Sequence, residues 1–375
     1  MNHFDVIIVG GGLAGLTCAI HLAQMGQKTL VVEKNGYPHH KVCGEYVSNE
    51  IVPYLEYLGV SLPSAGAVSI NTLQFSSVNG KVLELKLPLG GVGISRYALD
   101  NVLYQRAVRL GVPFIFDTVM AIDYKDDTFE VSTADGLEFT APLVLGAYGK
   151  RSVLDKFLDR DFINKKSDWL GIKAHYRWDI FPENRVGLHH FNGGYGGLSK
   201  TETGAVNFCY LVSYKSFKTQ KDMESFNKNV VCKNPVLNLF LREAEPLFDH
   251  PLSIAQISFD KKNAVEGHIL MCGDSAGLIH PLCGNGMAMA IHSAKIASEY
   301  IDHFLKNEGY SRIQLEKDYK NHWNATFRRR LWAGRVIQSL LLGKGITDMG
   351  ISTLARSPRL LRALIEQTHG KPVLC

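Results

Sequence analysis

Short runs of apolar residues recur along the chain, and four of them predict buried β-strands. Each run is about as long as a strand and is rich in branched side chains, as in parallel strands that are covered on both faces. The four runs are residues 4–10, 28–33, 143–147 and 268–273. Because the last run lies far along the chain, we expect the sheet to be assembled from distant segments.

The segment between the first two runs predicts a helix. Leu16, Ile20 and Ala23 recur at helical spacing within residues 13–25, and Gly26 is placed to end the helix as a C-cap. Strand, helix and strand therefore follow one another at the start of the chain as a βαβ unit.

Later segments predict further helices and an antiparallel layer. We expect an amphipathic helix over residues 96–110, a long helix over 288–305, and a helical tail from about residue 306 that is rich in Arg and Leu. Alternating patterns predict a three-stranded antiparallel meander over residues 119–140 and an antiparallel sheet over about 160–260. The fold class is therefore α/β, with a Rossmann-like doubly wound domain, an antiparallel β-sheet domain and C-terminal helices.

Composition and charge exclude several classes of protein. The net charge of +5 is spread over most of the chain and no nucleic-acid-reading motif is present, so no nucleic-acid partner is expected. The seven cysteines are odd in number and include no C-x-x-C pair, which argues against a disulfide framework or a metal site and for a reducing cytoplasm. No apolar run is long enough to predict a transmembrane helix.

The turn after the first predicted strand carries a glycine-rich motif. Residues 10–15 read Gly-Gly-Gly-Leu-Ala-Gly and fit G-x-G-x-x-G. Gly10 would make the tight turn, Gly12 would let a pyrophosphate approach the backbone, and Gly15 would let helix and strand pack closely. The phosphates would lie on the free N–H groups of the helix N-terminus. Glu33, at the end of the second strand, would accept hydrogen bonds from the adenosine ribose, which favours FAD or NAD over NADP.

A second motif follows the last predicted strand. It reads Gly-Asp-Ser-Ala-Gly over residues 273–277 and continues with Pro281, Gly284, Asn285 and Gly286. It resembles the second FAD fingerprint of flavin hydroxylases and prenyl reductases. In that family the aspartate, here Asp274, binds the ribityl chain, and the next helix begins against the isoalloxazine ring, where its N-terminus stabilises the anion of the reduced flavin. The resemblance therefore implies FAD.

Two further segments match this family in part. Residues 146–152 look like its A-D-G-x-x-S stretch, but Tyr148 stands where the family has aspartate. That aspartate supports FAD and, in hydroxylases, access by the nicotinamide cofactor. Tyr148 therefore favours a separate electron donor over direct reduction by NADPH or NADH. Arg96 and Asp100 match a family position where the arginine contacts the cofactor, and a solvated helix start is the alternative for Arg96.

Two residues are candidates for catalysis. Residues 41–46 resemble the C-G-x loop of geranylgeranyl reductase-like proteins, which lies beside the flavin, so Cys43 and Gly44 are expected near the ring. A free cysteine is more often a small buried hydrophobe than a reactive thiol, and that alternative holds for Cys43. His280 precedes Pro281 and is expected near the flavin, either as a proton donor or as a structural hydrogen-bonding group.

The predicted antiparallel region contains a glycine-rich strand pair. Residues 189–197 read His-His-Phe-Asn-Gly-Gly-Tyr-Gly-Gly, a pattern typical of backbone that passes close to a ligand. In the family this sheet covers the flavin and shapes the substrate cavity, which implies substrate contacts at Tyr195 and Gly196. His189 and His190 would point to opposite faces of their strand and so do not form a metal-binding pair.

The resemblance covers nearly the whole chain to about residue 300 and is to the geranylgeranyl reductase-like branch of FAD-dependent oxidoreductases, which is related to the aromatic hydroxylases. It implies an interrupted FAD-binding domain of the glutathione-reductase and aromatic-hydroxylase type. This domain comprises residues 1–150 and 262–300, with about 66–95 partly joining the second sheet, while 151–261 form the substrate domain and 301–375 a C-terminal helical region. The implied cofactor contacts are Gly10, Gly12, Leu13, Ala14, Gly15, Glu33, Lys34, Cys43, Gly44, Arg96, Val119, Gly273, Asp274, Gly284, Asn285, Gly286 and Met287.

Three functions follow from the resemblance. The first is reduction of carbon–carbon double bonds of an isoprenoid or other long apolar substrate, with hydride from reduced flavin and a proton from a side chain or water. The second is a monooxygenase acting on a phenolic or polyketide-like substrate, and the third is a prenyl-binding escort without catalysis. The halogenase signature W-x-W-x-I-P is absent from residues 177–182. The basic tail fits either peripheral contact with a membrane or a helix packed on the domain.

Overall fold

The computed structural model describes residues 2–280, 284–342 and 370–374. The sequence predictions that involve Pro281, Cys283 and Cys375 lie outside the described residues.

The strands and helices are as follows. The strands are β1 Asn2–His3, β2 Val6–Val9, β3 Thr29–Val32, β4 Tyr46–Ser48, β5 Val68–Ser76, β6 Val82–Gly93, β7 Phe114–Ile115, β8 Val119–Lys125, β9 Thr128–Thr133, β10 Glu138–Ala141, β11 Leu143–Gly146, β12 Trp169–Arg177, β13 Arg185–Phe191, β14 Gly194–Lys200, β15 Val206–Ser213, β16 Glu245–Pro246, β17 Leu252–Ile254, β18 Val265–Glu266 and β19 Ile269–Met271. The helices are α1 Leu13–Gln24, α2 Val52–Tyr57, α3 Arg96–Arg109, α4 Leu154–Phe157, α5 Tyr214–Phe217, α6 Met223–Asn229, α7 Pro235–Glu243, α8 Gly286–Lys306 and α9 Arg312–Leu342.

The nucleotide-binding sheet has six strands in the order β18-β19-β11-β2-β3-β7. Strands β2, β3, β7, β11 and β19 are parallel, and β18 is antiparallel to its neighbour. Every residue of β2, β3, β11 and β19 is buried, as the unbroken apolar runs predict. The βαβ unit and the late return of the chain to this sheet, through β19, are confirmed.

A four-stranded sheet in the order β1-β10-β9-β8 lies beside it. Strands β8, β9 and β10 form the predicted antiparallel meander, and β1 adds to its edge in parallel with β10. The predicted three-stranded meander is therefore confirmed.

The third sheet has nine strands and is mixed rather than wholly antiparallel. Its order is β16-β12-β15-β14-β13-β5-β6-β4, with β17 also paired to β12. Strands β12 to β15 pair antiparallel as predicted, whereas β13 and β5 run parallel.

The prediction of sheet over the whole of residues 160–260 is wrong between β15 and β16, where the chain folds into α5, α6 and α7. The local capping chemistry explains why. The side chains of Ser213, Asp222 and Asn234 each accept a hydrogen bond from a backbone N–H in the first turn of these helices, and Pro235 occupies the start of α7. Aromatic alternation with polar residues masked these helix signals.

The C-terminal helix α9 packs on the nucleotide-binding domain. Leu315, Tyr319, Trp323 and Phe327 recur four residues apart and are all buried. The Tyr319 hydroxyl donates to the carbonyl of Met271 in β19, and the Trp323 indole donates to Ser293 of α8. Packing of this helix on the domain, one of the two alternatives for the tail, is therefore what the structure shows. Across the described residues, no helix combines the length and apolarity that a membrane crossing needs.

Candidate functional site

A large cavity lies between the nucleotide-binding sheet and the nine-stranded sheet. Its volume is about 1120 Å³. Ordinary small-molecule sites are ~300–1,000 Å³, so this cavity has room for more than one ligand. It is lined by the glycine-rich turn before α1, by the turn before α8 and by one face of the nine-stranded sheet.

Seventeen of the predicted site positions lie together in this lining, and three lie elsewhere. The predicted cofactor residues in the lining are Gly10, Gly12, Leu13, Ala14, Glu33, Lys34, Cys43, Gly44, Arg96, Val119, Gly273, Asp274, Gly284, Asn285, Gly286 and Met287, and Tyr195 joins them from the predicted substrate contacts. Gly15, Gly196 and His280 are not among the lining residues. The assignment of individual contacts to each position stays a prediction.

The glycines of the glycine-rich turn serve two purposes. Gly10 and Gly15 permit close packing, whereas Gly12 leaves the backbone open to a ligand. Gly10 has φ +104°, and a Cβ there would lie 2.5 Å from the carbonyl oxygen of Ala147. At Gly15 an added Cβ would clash with the carbonyl of Gly10. At Gly12 a Cβ would meet nothing within 4 Å, so the backbone there is bare toward the cavity. No side chain caps the N-terminus of α1, which leaves its first N–H groups available to a phosphate.

Glu33 braces this turn from the end of β3. Its carboxylate accepts hydrogen bonds from the backbone N–H of Gly11 at 2.7 Å and from that of Asn35 at 3.1 Å. The side chain is buried and borders the cavity. Glu33 therefore fixes the glycine turn in place, and its contact with a ribose stays a prediction.

The second motif borders the cavity beside the first, since an added Cβ at Gly273 would lie 3.0 Å from the Cβ of Ala14. Gly273 and Gly284 both have positive φ, at +60° and +62°, which glycine adopts at little cost. The Lys262 ammonium donates to the carbonyls of Lys150 and Asp274, both at 2.8 Å, and so ties this turn to the end of β11. Burial lowers the pKa of Lys262 to about 8. Helix α8 starts at the cavity without a side-chain cap.

These features fit FAD. Two uncapped helix N-termini open into one continuous cavity, one beside a bare glycine turn and a buried carboxylate, the other beyond Asp274. The first suits a pyrophosphate and ribose, and the second suits an anion that develops on a flavin ring. When bound, FAD supplies reversible hydride and electron transfer.

The unusual Tyr148 also borders the cavity. Its hydroxyl contacts the Met271 sulfur at 3.4 Å, and burial raises its pKa well above the ordinary value. The next residue, Gly149, is bound to the second motif, because its N–H donates to the Ser275 hydroxyl at 2.8 Å and its carbonyl accepts from the same group. Residues 146–152 therefore still hold the second motif by hydrogen bonds, although Tyr148 stands where the family has aspartate.

Arg96 is held in the cavity wall rather than extended into solvent. Its guanidinium makes a bidentate contact with Asp100, at 2.6 and 2.7 Å, and Lys41 lies 3.0 Å from the same carboxylate. Burial raises the pKa of Asp100, but the charges of Arg96 and Lys41 outweigh it and hold that pKa below its ordinary value. The alternative of a solvated helix start is wrong for Arg96.

The Cys43 loop is fastened to the nine-stranded sheet. The carbonyls of Cys43 and Gly44 accept hydrogen bonds from Asn207 and Ser199, at 3.1 Å each. Next in the chain, Glu45 is fully buried with φ +56°, and its carboxylate accepts from Lys173 and His175 of β12 and from the backbone N–H of Arg96. Cys43 therefore borders the cavity on a loop that hydrogen bonds hold to the nine-stranded sheet.

Glu45 is ionised inside the protein. Burial raises its pKa, but hydrogen bonding and charge from His175 and Lys173 outweigh this and lower it overall. His40, Glu45 and His175 place potential ligand atoms within 4.8 Å of one another. A metal ion there would have to replace the 2.7 Å contact between His175 and Glu45 and lie close to the Lys173 ammonium. The arrangement is that of a buried ion pair, and the expectation of no metal stays a prediction.

The rings of Tyr195 and His280 lie against each other at a tilt of 46°. Tyr195 borders the cavity, and the His280 ring lies behind it, 5.7 Å from the Tyr195 ring and 4.6 Å from that of Phe259. Burial lowers the pKa of His280 to about 3, so its imidazole is neutral at pH 7. His280 lies outside the cavity lining, and its ring contacts that of Tyr195, a lining residue. Gly196 faces the other side of the sheet, where an added Cβ would lie 2.6 Å from the Phe208 ring.

The far end of the cavity was not predicted from the sequence. There β13, β5 and β6 present an apolar wall that consists of Val186, Leu188, Leu73, Phe75, Leu83, Leu85 and Leu87. The register aligns Leu188, Phe75 and Leu83 in one row and Val186, Leu73 and Leu85 in the next. The alternation of Leu83, Leu85 and Leu87 with polar residues was the available signal, since it marks one apolar face of a strand.

Comparison with known proteins identifies the family. The model of the FAD binding domain family matches residues 3–321. Conditioned medium factor receptor 1 of Dictyostelium discoideum is 22% identical over 365 residues, covering 86% of this chain and 68% of the relative. Menaquinone reductase of Mycobacterium tuberculosis is 24% identical, covering 80% and 76%, and digeranylgeranylglycerophospholipid reductase of Methanococcus aeolicus is 23% identical, covering 88% and 84%.

Solved structures show the same fold. The flavin-dependent brominase Bmp2 superposes with a TM-score of 0.78 at 17% identity, over 98% of this chain and 93% of its own. PqsL of Pseudomonas aeruginosa, a probable FAD-dependent monooxygenase, superposes with a TM-score of 0.75 at 15% identity, over 94% and 100%. The FAD-binding fold of the aromatic-hydroxylase type, the cofactor FAD and an enzymatic function are thus confirmed. The chain belongs to the FAD binding domain family, as an FAD-dependent oxidoreductase that is similar to digeranylgeranylglycerophospholipid reductases and shares its fold with a probable flavin monooxygenase.

Proposed function

We propose that this oxidoreductase reduces carbon–carbon double bonds of an isoprenoid or another long apolar substrate. The observation that carries the proposal is the apolar wall: seven side chains on three adjacent strands line the cavity, and none of the seven is polar or charged. Contact with an apolar ligand stabilises the complex by ~25 cal/mol for each Å² of apolar surface that is removed from water. Two of the relatives, the menaquinone reductase and the digeranylgeranylglycerophospholipid reductase, are named as reductases, which supports this direction of chemistry.

The residues of the chain divide into three roles in this proposal. The two glycine turns and the N-termini of α1 and α8 bind the cofactor, and the apolar wall orients the substrate and excludes water. Cys43, on its fastened loop, is the proposed proton donor to the reduced double bond. His280 acts indirectly, since it supports the ring of Tyr195 from behind.

The test is an anaerobic single turnover. Holoprotein reduced with dithionite and mixed with geranylgeraniol is expected to yield product that has gained a pair of hydrogens at each reduced double bond, detected by mass spectrometry. Phe75→Lys, which places a charge on the apolar wall, should abolish this product while the protein still binds flavin. The matched control is Gln74→Lys, one residue along β5 and outside the cavity lining.

Two other outcomes would replace the proposal. An oxygenated product, formed only when oxygen and a phenolic substrate are present, would assign the monooxygenase function. A colourless protein that binds geranylgeraniol but cannot be reconstituted with FAD would assign the escort function.

The electron donor is a separate part of the proposal. We propose a separate donor protein, because the buried Tyr148 occupies the place of the family carboxylate. Holoprotein mixed anaerobically with NADH or NADPH should keep its absorption near ~450 nm. Bleaching within seconds would instead establish a nicotinamide as the direct donor.

A further inference from the structure

Glycines in the strands of the nine-stranded sheet are mostly required by packing. An added Cβ at any of them except Gly197 would come within 3.2 Å of a neighbouring atom, which real Cβ atoms rarely do. The crowded positions are Gly90, Gly91, Gly93, Gly171, Gly187, Gly194 and Gly196.

Gly197 is the exception. The nearest atom to an added Cβ would be the carbonyl oxygen of Cys209 at 3.6 Å, an ordinary contact distance, and its backbone is extended within β14. Glycine weakens a strand relative to alanine, so this residue does not stabilise the fold. A strand glycine without a steric reason marks a place where a ligand approaches the backbone.

The position of Gly197 in the cavity indicates which kind of ligand approaches its backbone. The pairing of β15, β14, β13, β5 and β6 aligns Cys209, Gly197, Leu188, Phe75 and Leu83 in one row on the cavity face. Cys209 lies at the end of this row nearest the Cys43 loop, whose carbonyl is bound by Asn207 of the same strand. The other three residues belong to the apolar wall. Gly197 therefore lies on the boundary between the flavin end of the cavity and the apolar wall.

We propose that Gly197 determines the length of apolar chain that the cavity accepts. Its bare backbone leaves a passage through which a chain extends from the flavin end onto the apolar wall. Three strand spacings separate Gly197 from Leu83, which is about 14 Å at ~4.8 Å for each spacing. A short chain ends before the passage, whereas a long chain needs it. The inference rests on the proposed apolar substrate but requires no turnover.

The experiment is a binding titration of oxidised holoprotein, followed by the change in the flavin absorption spectrum. The probes are geraniol, with half the chain length, and geranylgeraniol. Gly197→Leu should weaken geranylgeraniol binding by roughly tenfold or more, the effect of a misfitted hydrophobic pocket, and leave geraniol binding within about twofold. Gly197→Ala should retain both affinities and unfold at a temperature no lower than the parent protein.

A rescue variant separates lost space from lost folding. The Leu188 Cδ2 atom lies 4.0 Å from the position of an added Cβ at Gly197, so Leu188→Ala restores volume beside the new side chain. The double variant Gly197→Leu with Leu188→Ala should regain geranylgeraniol binding. Equal weakening for both probes, or no weakening for either, would overturn the role of Gly197. If chain-length discrimination at Gly197 is found but reduced holoprotein yields no saturated product, the inference stands and the proposed reductase function fails.

Discussion

Gly10 and Gly12 stand two residues apart in the same turn, but their surroundings differ. Gly10 has positive φ and lies against the backbone of Ala147, whereas Gly12 borders only the cavity. The motif that contains them is local, so the sequence alone could predict both. The sequence alone could not predict that Gly10 is required by packing and that Gly12 faces the cavity. This difference depends on Ala147, the residue that follows β11.

This difference predicts opposite phenotypes. Gly10→Ala should lower the free energy of unfolding, by about 1–3 kcal/mol from overpacking and about 1–2 kcal/mol from the left-handed backbone. Gly12→Val should leave the apoprotein as stable as the parent but weaken FAD binding at least about tenfold. Urea unfolding of the apoproteins and FAD titration by fluorescence measure the two effects. Stable, flavin-bound Gly10→Ala protein would contradict the steric argument.

Glu45 carries a second prediction at the residue scale. Glu45→Gln leaves the Lys173 ammonium buried without its carboxylate, which should cost about 3–5 kcal/mol of stability at pH 7. The folded-state pKa of Glu45 lies below the unfolded value of about 4.3, so the contribution is complete above that pH and is lost as the pH falls through the folded-state pKa.

The measurement is urea unfolding from pH 7 to pH 3 for both proteins. The difference in unfolding free energy should shrink only at the acid end of this range. Asp123→Asn, on an exposed part of β8, is the matched control and should change little at any pH. A Glu45→Gln effect that is constant down to pH 3 would contradict an ionised Glu45.

At the scale of elements, the Glu50 carboxylate joins α9 and the C-terminal residues to the flavin side of the fold. Glu50 follows β4 and is fully buried; Arg330 of α9 lies 3.0 Å from its carboxylate, and the backbone N–H of Gly370 donates to it. Val373 is also buried against the core, and its N–H donates to the Glu50 carbonyl at 2.7 Å. The helical tail could be predicted from its pattern, but a pairing 280 residues apart could not.

We call the contacts of Glu50 with Arg330, Gly370 and Val373 the Glu50 clamp. Removing the charge of Arg330 is expected to weaken it. Arg330→Met leaves the buried Glu50 carboxylate without its charged partner and should destabilise the protein by about 3–5 kcal/mol. Arg329→Met, the exposed neighbour, should change stability by less than about 0.5 kcal/mol. Thermal unfolding of both variants measures the difference. Equal unfolding temperatures would show that Arg330 does not carry the clamp.

The apolar wall shows where prediction from sequence stops at this scale. The alternation of Leu83 and Leu85 indicates one apolar face of a strand, but which sheet that face covers depends on the parallel pairing of β5 with β13. Those strands lie more than a hundred residues apart, and no local pattern fixes their register. The wall and the passage at Gly197 therefore emerge only from the assembled sheet.

At the scale of the whole molecule, residues of all three sheets line one cavity. FAD at a hundred times its dissociation constant should raise the free energy of unfolding by about 2.7 kcal/mol. FMN, which has no adenosine to reach Glu33 and the turn before α1, should stabilise the protein less at the same concentration. Thermal unfolding across a concentration series of each flavin gives the comparison. Equal stabilisation by both would mean that the adenosine end of the cavity contributes nothing.

In the proposed function, the flavin end of the cavity and the apolar wall bind the same substrate molecule. The most direct measurement is anaerobic stopped-flow absorption of reduced holoprotein mixed with geranylgeraniol. We expect the absorption of oxidised flavin near ~450 nm to return, with one double bond saturated for each flavin that is reoxidised. Flavin that stays reduced with this substrate, yet reoxidises with oxygen and a phenol to give a hydroxylated product, would contradict it.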